Sequence, residues 1–204
     1  MTLLEPDAPE GLQGPPVPVL ETERLILRAP RFEDAATIAA LVNDRRIAEN
    51  TLRIPHPYTL ADAQAFLTAA NASGGEIVFL ITAWEGTVLG CCGIGKLDGE
   101  YPEIGYWLGV PFWGRGYATE AARALIDHAF GDLGYEVLQG GARVSNPASR
   151  RVLEKCGFQW TGVQLYRFVA LGSSTPVDRF RLNRGIWRSL KAWEATTRDG
   201  CCRL

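Results

Sequence analysis

The sequence predicts a mixed α/β domain, and three observations predict it. β-rich runs such as Ile77 to Trp84 stand beside stretches such as Phe32 to Asn43, whose apolar residues fall at helical spacing. These stretches follow the order β-α-α-β-β-β-α-β-α-β-β, with a strand meander in the middle and crossovers after it. The chain has 204 residues, 47% hydrophobic and 22% charged, which suits one domain with a sizeable core rather than a disordered polymer.

The elements follow in chain order. Residues 1–20 carry Pro6, Pro9, Pro15, Pro16 and Pro18 and read as an extended leader. Thr22 to Arg28 is a short strand. Phe32 to Asn43 places apolar residues at helical spacing. "RRIAENTLRIPHPY" reads as a loop, because Pro55 and Pro57 break a helix. Thr59 and Asp62 form a capping-box pattern that opens a helix to about Ala72, stopped by Ser73-Gly74-Gly75. Ile77 to Trp84, Thr87 to Lys96 and Glu103 to Val110 are the meander, with turns at Glu85-Gly86 and Asp98-Gly99. A helix over Tyr117 to Phe130 follows a glycine turn. Glu136 to Val144 is a strand, and Asn146-Pro147 opens a helix that ends before Gly157. Gln159 to Ala170 and Asp178 to Trp187 are the last strands, with "LGSSTP" between them. The folded domain is therefore expected over 21–188, with a frayed tail over 189–204.

Composition excludes several functions. A net charge of −2 gives no basic face for nucleic acid. No apolar run is long enough to span a bilayer, and the start lacks a basic-then-apolar signal pattern, so a cytoplasmic location without membrane contact is expected. The five cysteines (Cys91, Cys92, Cys156, Cys201 and Cys202) are odd in number and lack zinc or redox spacing. Reduced thiols and no metal are expected. Cys202 and Arg203 stand where a prenylation signal needs aliphatic residues.

The stretch "PFWGRGYATEAARAL" carries the chemistry. A helix start offers unpaired N–H groups and a partial positive charge, which suit a diphosphate. Gly114 and Gly116 leave the backbone bare and free to adopt unusual dihedrals. Glycines alone leave an ordinary strand-to-helix turn equally open. A dinucleotide fingerprint needs Gly or Ala where Thr119 stands, and an initial βαβ unit that this chain lacks.

"EIGYWLGVPFWGRGYATEA" followed by "ARVSNPASRRVLEKCGF" resembles the GNAT superfamily of N-acetyltransferases. Within it, the chain is most similar to the RimJ/RimL-type branch that acetylates ribosomal-protein N-termini. "TERLILRAP" and "PYTLADAQAFL" fit the same branch, and the resemblance covers about Thr22 to Trp187. It implies a GNAT acyl-CoA N-acyltransferase fold, a central mixed and mostly antiparallel sheet flanked by helices. It implies acetyl-CoA as cosubstrate, with its diphosphate held by Trp113, Gly114, Arg115, Gly116, Tyr117, Ala118 and Thr119. It further implies that the strand before the turn parts from its neighbour, so that Leu108, Gly109 and Val110 contact the pantetheine arm. A backbone N–H near Gly109 or Val110 then receives the oxyanion, and Gly109 is consistent with a bulge. Asn146 is implied to bond the pantetheine arm, and as a residue it equally suits a helix cap. Arg151 is implied for the phosphates, with solvent as the alternative.

Acetyl transfer needs a held thioester, a deprotonated amine and a stabilised oxyanion. Glu103 begins the parted strand and is implied as base; by its residues alone it is equally a solvated strand-end carboxylate. Ser149 lies one turn into its helix and is the candidate neighbour of the thioester sulfur. Two departures stand out. Trp113 replaces the usual Gln or Arg at the first loop position, and Leu153 stands where many relatives carry a Tyr that protonates the thiolate. His56, Tyr58, Trp107 and Tyr166 are the candidate lining of the acceptor cleft.

Freeing a lysine amine at neutral pH costs about 4.6 kcal/mol, against about 1 kcal/mol for an α-amine. That cost suits an α-amine or a less basic small-molecule amine, and the branch resemblance implies a protein N-terminal α-amine. The alternatives are a small amine, such as an antibiotic or polyamine, and a catalytically silent acyl-CoA sensor. The sequence does not choose between monomer and homodimer.

Overall fold

The computed structural model describes residues 17–72, 76–96 and 100–200. Most of the leader, the turns at Ser73-Gly74-Gly75 and Asp98-Gly99, and the terminal Cys201 and Cys202 lie outside the described residues. In chain order the elements are β1 (Leu20–Glu21), β2 (Leu25–Arg28), α1 (Ala35–Val42), α2 (Arg45–Ala48), α3 (Leu60–Ala70), β3 (Ile77–Ala83), β4 (Val88–Gly95) and β5 (Glu103–Leu108). Then follow α4 (Tyr117–Gly131), β6 (Val137–Arg143), α5 (Pro147–Lys155), β7 (Gln159–Phe168), β8 (Ser173–Asn183) and α6 (Arg184–Gly200).

The strands form one sheet in the order β1-β2-β3-β4-β5-β6-β8-β7. Every neighbouring pair is antiparallel except β5 and β6, which are parallel because α4 carries the chain across between them. That pair is short. β5 meets β6 only at Glu103↔Gln139 and Ile104↔Gly140. Against β4 it runs the full length from Glu103↔Gly95 to Leu108↔Gly90. The sheet therefore opens between β5 and β6 beyond Ile104.

Side chains on the two faces of a strand alternate, and each face has its own core. On one face, α4 and α5 pack Leu125, Ile126, Phe130 and Leu153 against Phe79, Ile104, Leu108, Leu138 and Phe180. On the other, α1 and α3 bury Ile38, Val42, Tyr58 and Leu67 against Leu80, with Trp107 and Val110 at the margin. β5 supplies both cores, Ile104, Tyr106 and Leu108 to the first and Trp107 to the second.

Helix starts follow the residues that cap them. Thr59 accepts the Asp62 N–H while Asp62 accepts that of Thr59, the reciprocal box the sequence predicts for α3. Asn146 accepts the Ser149 N–H at 3.1 Å and Pro147 is the first residue of α5.

The structure corrects four boundaries. Residues 45–48 form a helical turn inside the segment read as loop. β8 starts at Ser173, so part of "LGSSTP" is strand, paired with Phe168 to Leu165. That strand ends at Asn183, and 184–187, expected as strand, open α6. Asn183 explains the switch, because its side chain accepts the Ile186 N–H at 3.0 Å. Ile186 and Trp187 then face the first core, with the Trp187 indole 5.4 Å from the Phe130 ring and donating to Asp127 at 2.7 Å. At the other end β1 begins at Leu20, one residue inside the expected leader.

Candidate active site

The glycine turn sits where the sheet opens. β5 leads through Gly109 and a 3-10 turn (Val110–Phe112) to Trp113, whose indole donates to the Leu108 carbonyl at 2.8 Å. Gly114 and Gly116 have φ of +74° and +81°. That region costs little for glycine and much for a side chain. Gly116 is the N-cap of α4, and no side chain caps it. The tip of a 15-residue helix is thus left open, and Trp113, Gly114, Arg115 and Gly116 are exposed. Tyr117, Ala118 and Thr119 are half-buried in its first turn.

The face of β5 toward α4 and α5 carries Tyr106. Its hydroxyl lies 3.0 Å from Ser149 Oγ and donates to the Ser149 carbonyl at 3.1 Å. Burial pushes that phenol well above its ordinary value, with Ser149 acting the other way. Leu108 lies next along the same edge. The Gly109 N–H is spent on the Leu89 carbonyl at 2.8 Å, so alternation turns the Leu108 N–H toward the opening. This corrects two expectations. Gly109 makes no bulge, since β4 and β5 stay in register to Gly90↔Leu108, and its amide is not free for an oxyanion.

The opposite face holds Glu103. It is buried and bidentate with Arg179, at 2.9 and 2.6 Å. Arg179 also stacks over Tyr166, 5.1 Å from the ring centroid. Burial opposes the guanidinium charge, but the Glu103 carboxylate outweighs it and holds Arg179 above its usual value. A Cβ on Gly141 would meet Arg179, Val177 and Glu103, so the β6 backbone closes over this ion pair. Gly105 is exposed, with no heavy atom within 4 Å of where its Cβ would stand. Room for an acceptor therefore exists on β5 between Glu103 and Trp107. Arg143 borders it, donating to the Glu49 carbonyl at 3.0 Å and lying 5.9 Å from the Phe168 ring.

The other expected residues separate. Tyr166 and Trp107 join the Glu103 face. His56 is exposed in its loop. Tyr58 does not line the cleft. It is buried in the α1/α3 core, where desolvation pushes its hydroxyl up to about 12. Asn146 caps α5 beside Ser149. Arg151 is exposed, while Arg150 pairs with Glu154 and Asp178. Leu153 is fully buried and fills core space. Burial raises the Cys156 thiol to about 11. Among the described residues no group of His, Cys, Asp or Glu is arranged to hold a metal, and no helix is long and apolar enough to cross a membrane. Sequence reasoning missed Tyr106, Arg179 and Arg24, the last of which donates to the Arg115 carbonyl and to Glu120. Tyr106 lies inside the very strand the motif drew attention to, and alternation around Leu108 was a signal for it. Arg179 and Arg24 become visible only through pairing with distant residues.

Residues 24–159 match the family model described as Acetyltransferase (GNAT) domain. A putative ribosomal N-acetyltransferase of Bacillus subtilis, YdaF, is 38% identical over 67% of this chain and 78% of its own length. An uncharacterized N-acetyltransferase of Bacillus licheniformis, p20, is 31% identical over 71% of this chain and 84% of its own. The solved structure of RimL, a ribosomal L7/L12 alpha-N-protein acetyltransferase with coenzyme A, superposes with a TM-score of 0.71 at 19% identity, covering 81% of this chain and 98% of that one.

Proposed function

The chain belongs to the GNAT family of acetyltransferases, an acyltransferase using acetyl-CoA, and from that premise we propose that it acetylates the N-terminal α-amine of a protein. The observation that carries the reading is the uncapped α4 tip beside the point where β5 leaves β6. An anionic diphosphate fits amides that no side chain occupies. Trp113 to Thr119 would hold it, and Asn146 and Arg151 would flank the rest of the donor. The parted edge of β5 offers the pantetheine arm the Leu108 and Val110 backbone.

The reaction is direct. The amine nitrogen attacks the thioester carbonyl, the tetrahedral oxyanion takes a hydrogen bond from the Leu108 or Val110 N–H, and the C–S bond breaks. The thiolate takes its proton from water or by relay through Ser149 Oγ, which regains a proton from solvent as it gives one up, with Tyr106 holding the hydroxyl in place. The attacking amine loses its proton toward Glu103, directly or through water. Glu103 keeps lone pairs for this, because a carboxylate has about four acceptor sites and Arg179 uses one on each oxygen. An α-amine lies about 1 kcal/mol from neutrality and a lysine about 4.6 kcal/mol away, so the α-amine asks less of whatever group takes its proton.

Thiol release from acetyl-CoA across a panel of acceptors tests the reading. The panel is peptides with free N-termini, the same peptides N-blocked but containing lysine, and polyamines. Release with free N-termini alone is the expected result. Release only with polyamines or lysine makes the protein a different acetyltransferase. Binding of acetyl-CoA without release to any acceptor makes it a sensor.

A further inference from the structure

The glycine turn does not hold its own shape. Arg24, just before β2, reaches across to α4. Its Nη1 donates to the Arg115 carbonyl at 3.0 Å, its Nε to Glu120 Oε2 at 2.7 Å and its backbone N–H to Glu120 Oε1 at 2.8 Å. The Thr22 hydroxyl donates to the same Oε1 at 2.6 Å, and Thr22 Oγ1 accepts the Leu25 N–H at 3.0 Å. The Arg24 guanidinium also lies over Tyr117, 4.8 Å from the ring centroid. One side chain thus touches the residue before Gly116, the residue after it, and the carboxylate one turn further on.

These contacts have two effects. In a trans peptide the N–H points opposite to the C=O. Holding the Arg115 carbonyl toward Arg24 therefore aims the Gly116 N–H to the other side of the turn, away from Arg24. The second effect is electrostatic. Glu120 lies in the first turn of α4. A free carboxylate there would compete with an anionic ligand for the helix amides and the positive end of the dipole. Burial disfavours its ionisation, yet Thr22 and Arg24 outweigh that and hold Glu120 below the usual carboxylate range. Both oxygens are occupied and the charge is matched.

We infer that Arg24 is a positioning residue for the acetyl donor: it aims the Gly116 amide and withdraws the Glu120 charge, so that the helix tip is left to a diphosphate. The inference rests on the reading of this turn as the diphosphate site. The strand edge before β2 thereby sets donor affinity without touching the thioester.

Steady-state kinetics with acetyl-CoA and with S-acetylpantetheine, the same thioester without diphosphate or nucleotide, test it. Arg24→Ala is expected to raise KM for acetyl-CoA about tenfold, the loss of one charge-assisted hydrogen bond worth ~1.4 kcal/mol. The kcat at saturation and the KM for S-acetylpantetheine stay within twofold of wild type. Arg24→Lys, which keeps the charge but loses the fork, falls between. Adding Glu120→Ala to Arg24→Ala recovers part of the loss, because the unmatched carboxylate is gone. An unchanged KM for acetyl-CoA overturns the inference. An equal rise for both donors also overturns it, since the effect then comes from general loss of structure. If Arg24→Ala does not fold by circular dichroism, Arg24→Lys carries the same two-donor comparison. Gly116→Val separates the two levels. If that variant binds acetyl-CoA as wild type does, the diphosphate reading itself fails. If it loses acetyl-CoA while Arg24→Ala does not, only the role of Arg24 falls.

Discussion

The two faces of β5 are built by opposite means. The α4/α5 face is assembled from neighbours in sequence: Leu108, Trp113 and Gly116 fall within one continuous stretch, and Asn146 and Ser149 within one turn of α5. Its key feature is something left unfilled, a helix tip with no side-chain cap. The α1/α3 face is assembled from distant segments, with space left over Gly105. Glu103 is locked to Arg179, 76 residues away, under Gly141 and beside Tyr166. A site for an anion common to every reaction needs bare backbone, which local glycines provide. A site for a particular acceptor needs side chains brought together by the fold.

The largest effect expected from this contrast is at the tip. Gly116→Val puts a β-branched side chain at φ +81° and covers the amide. Strain of up to ~3 kcal/mol together with the blocked donor should weaken acetyl-CoA binding at least ~100-fold, read by calorimetry. Tight binding by this variant would remove the basis for dividing the faces as donor and acceptor.

Glu103→Gln tests the other face. If Glu103 takes the amine proton, kcat falls about tenfold, below the 10²–10⁴ range of an uncommitted base because Arg179 already shares the carboxylate. The affinity for acetyl-CoA should stay unchanged, because the residue lies on the face of β5 opposite the one that α4 covers. Arg179 is left as an unmatched buried charge, so the unfolding free energy should also drop by about 3 kcal/mol, measured by denaturant titration. Unchanged turnover with lowered stability would make the pair purely structural.

The same contrast explains what the sequence revealed. The fold class, the meander, the capping of α3 and α5 and the glycine turn all depend on residues within a few positions of one another, and local pattern found them. The end of β8 was misplaced because the apolar residues Phe180, Leu182 and Ile186 run on past the cap at Asn183, and the Phe130 surface that receives Trp187 lies far away in sequence. Tyr58, expected in the cleft lining, is enclosed by α1 and α3, a long-range packing that no local pattern shows. Gly109 read as a bulge because a glycine in a strand has several uses. Here Leu41 and Phe112 crowd the space of a Cβ.

Acid separates the faces by a smaller effect. The Glu120 carboxyl, held below the usual range, adds stability that is present above the unfolded-state value and is lost as pH falls through the folded one. Glu120→Gln should therefore be less stable than wild type at neutral pH, with the difference closing as the pH falls below the ordinary carboxylate range, in melts followed by circular dichroism. A difference that persists unchanged in acid would show that shape rather than charge holds the tip.

The smallest expected effect is at the link between the faces. Tyr106 bonds Ser149 from within the sheet, on the face opposite Glu103. Tyr106→Phe keeps the ring in the core and removes one neutral hydrogen bond, worth about 1 kcal/mol, so kcat should fall roughly fivefold. KM for acetyl-CoA should not move, because the diphosphate site is untouched. Burial holds the phenol protonated throughout the working range, so the alkaline side of the kcat–pH profile should be the same in both proteins. A changed alkaline limb would mean that Tyr106 itself gives up the proton, and Ser149 would then be the orienting group and Tyr106 the acid. That outcome would place the acid missing at Leu153 on β5 instead of on α5, on the same face of the sheet.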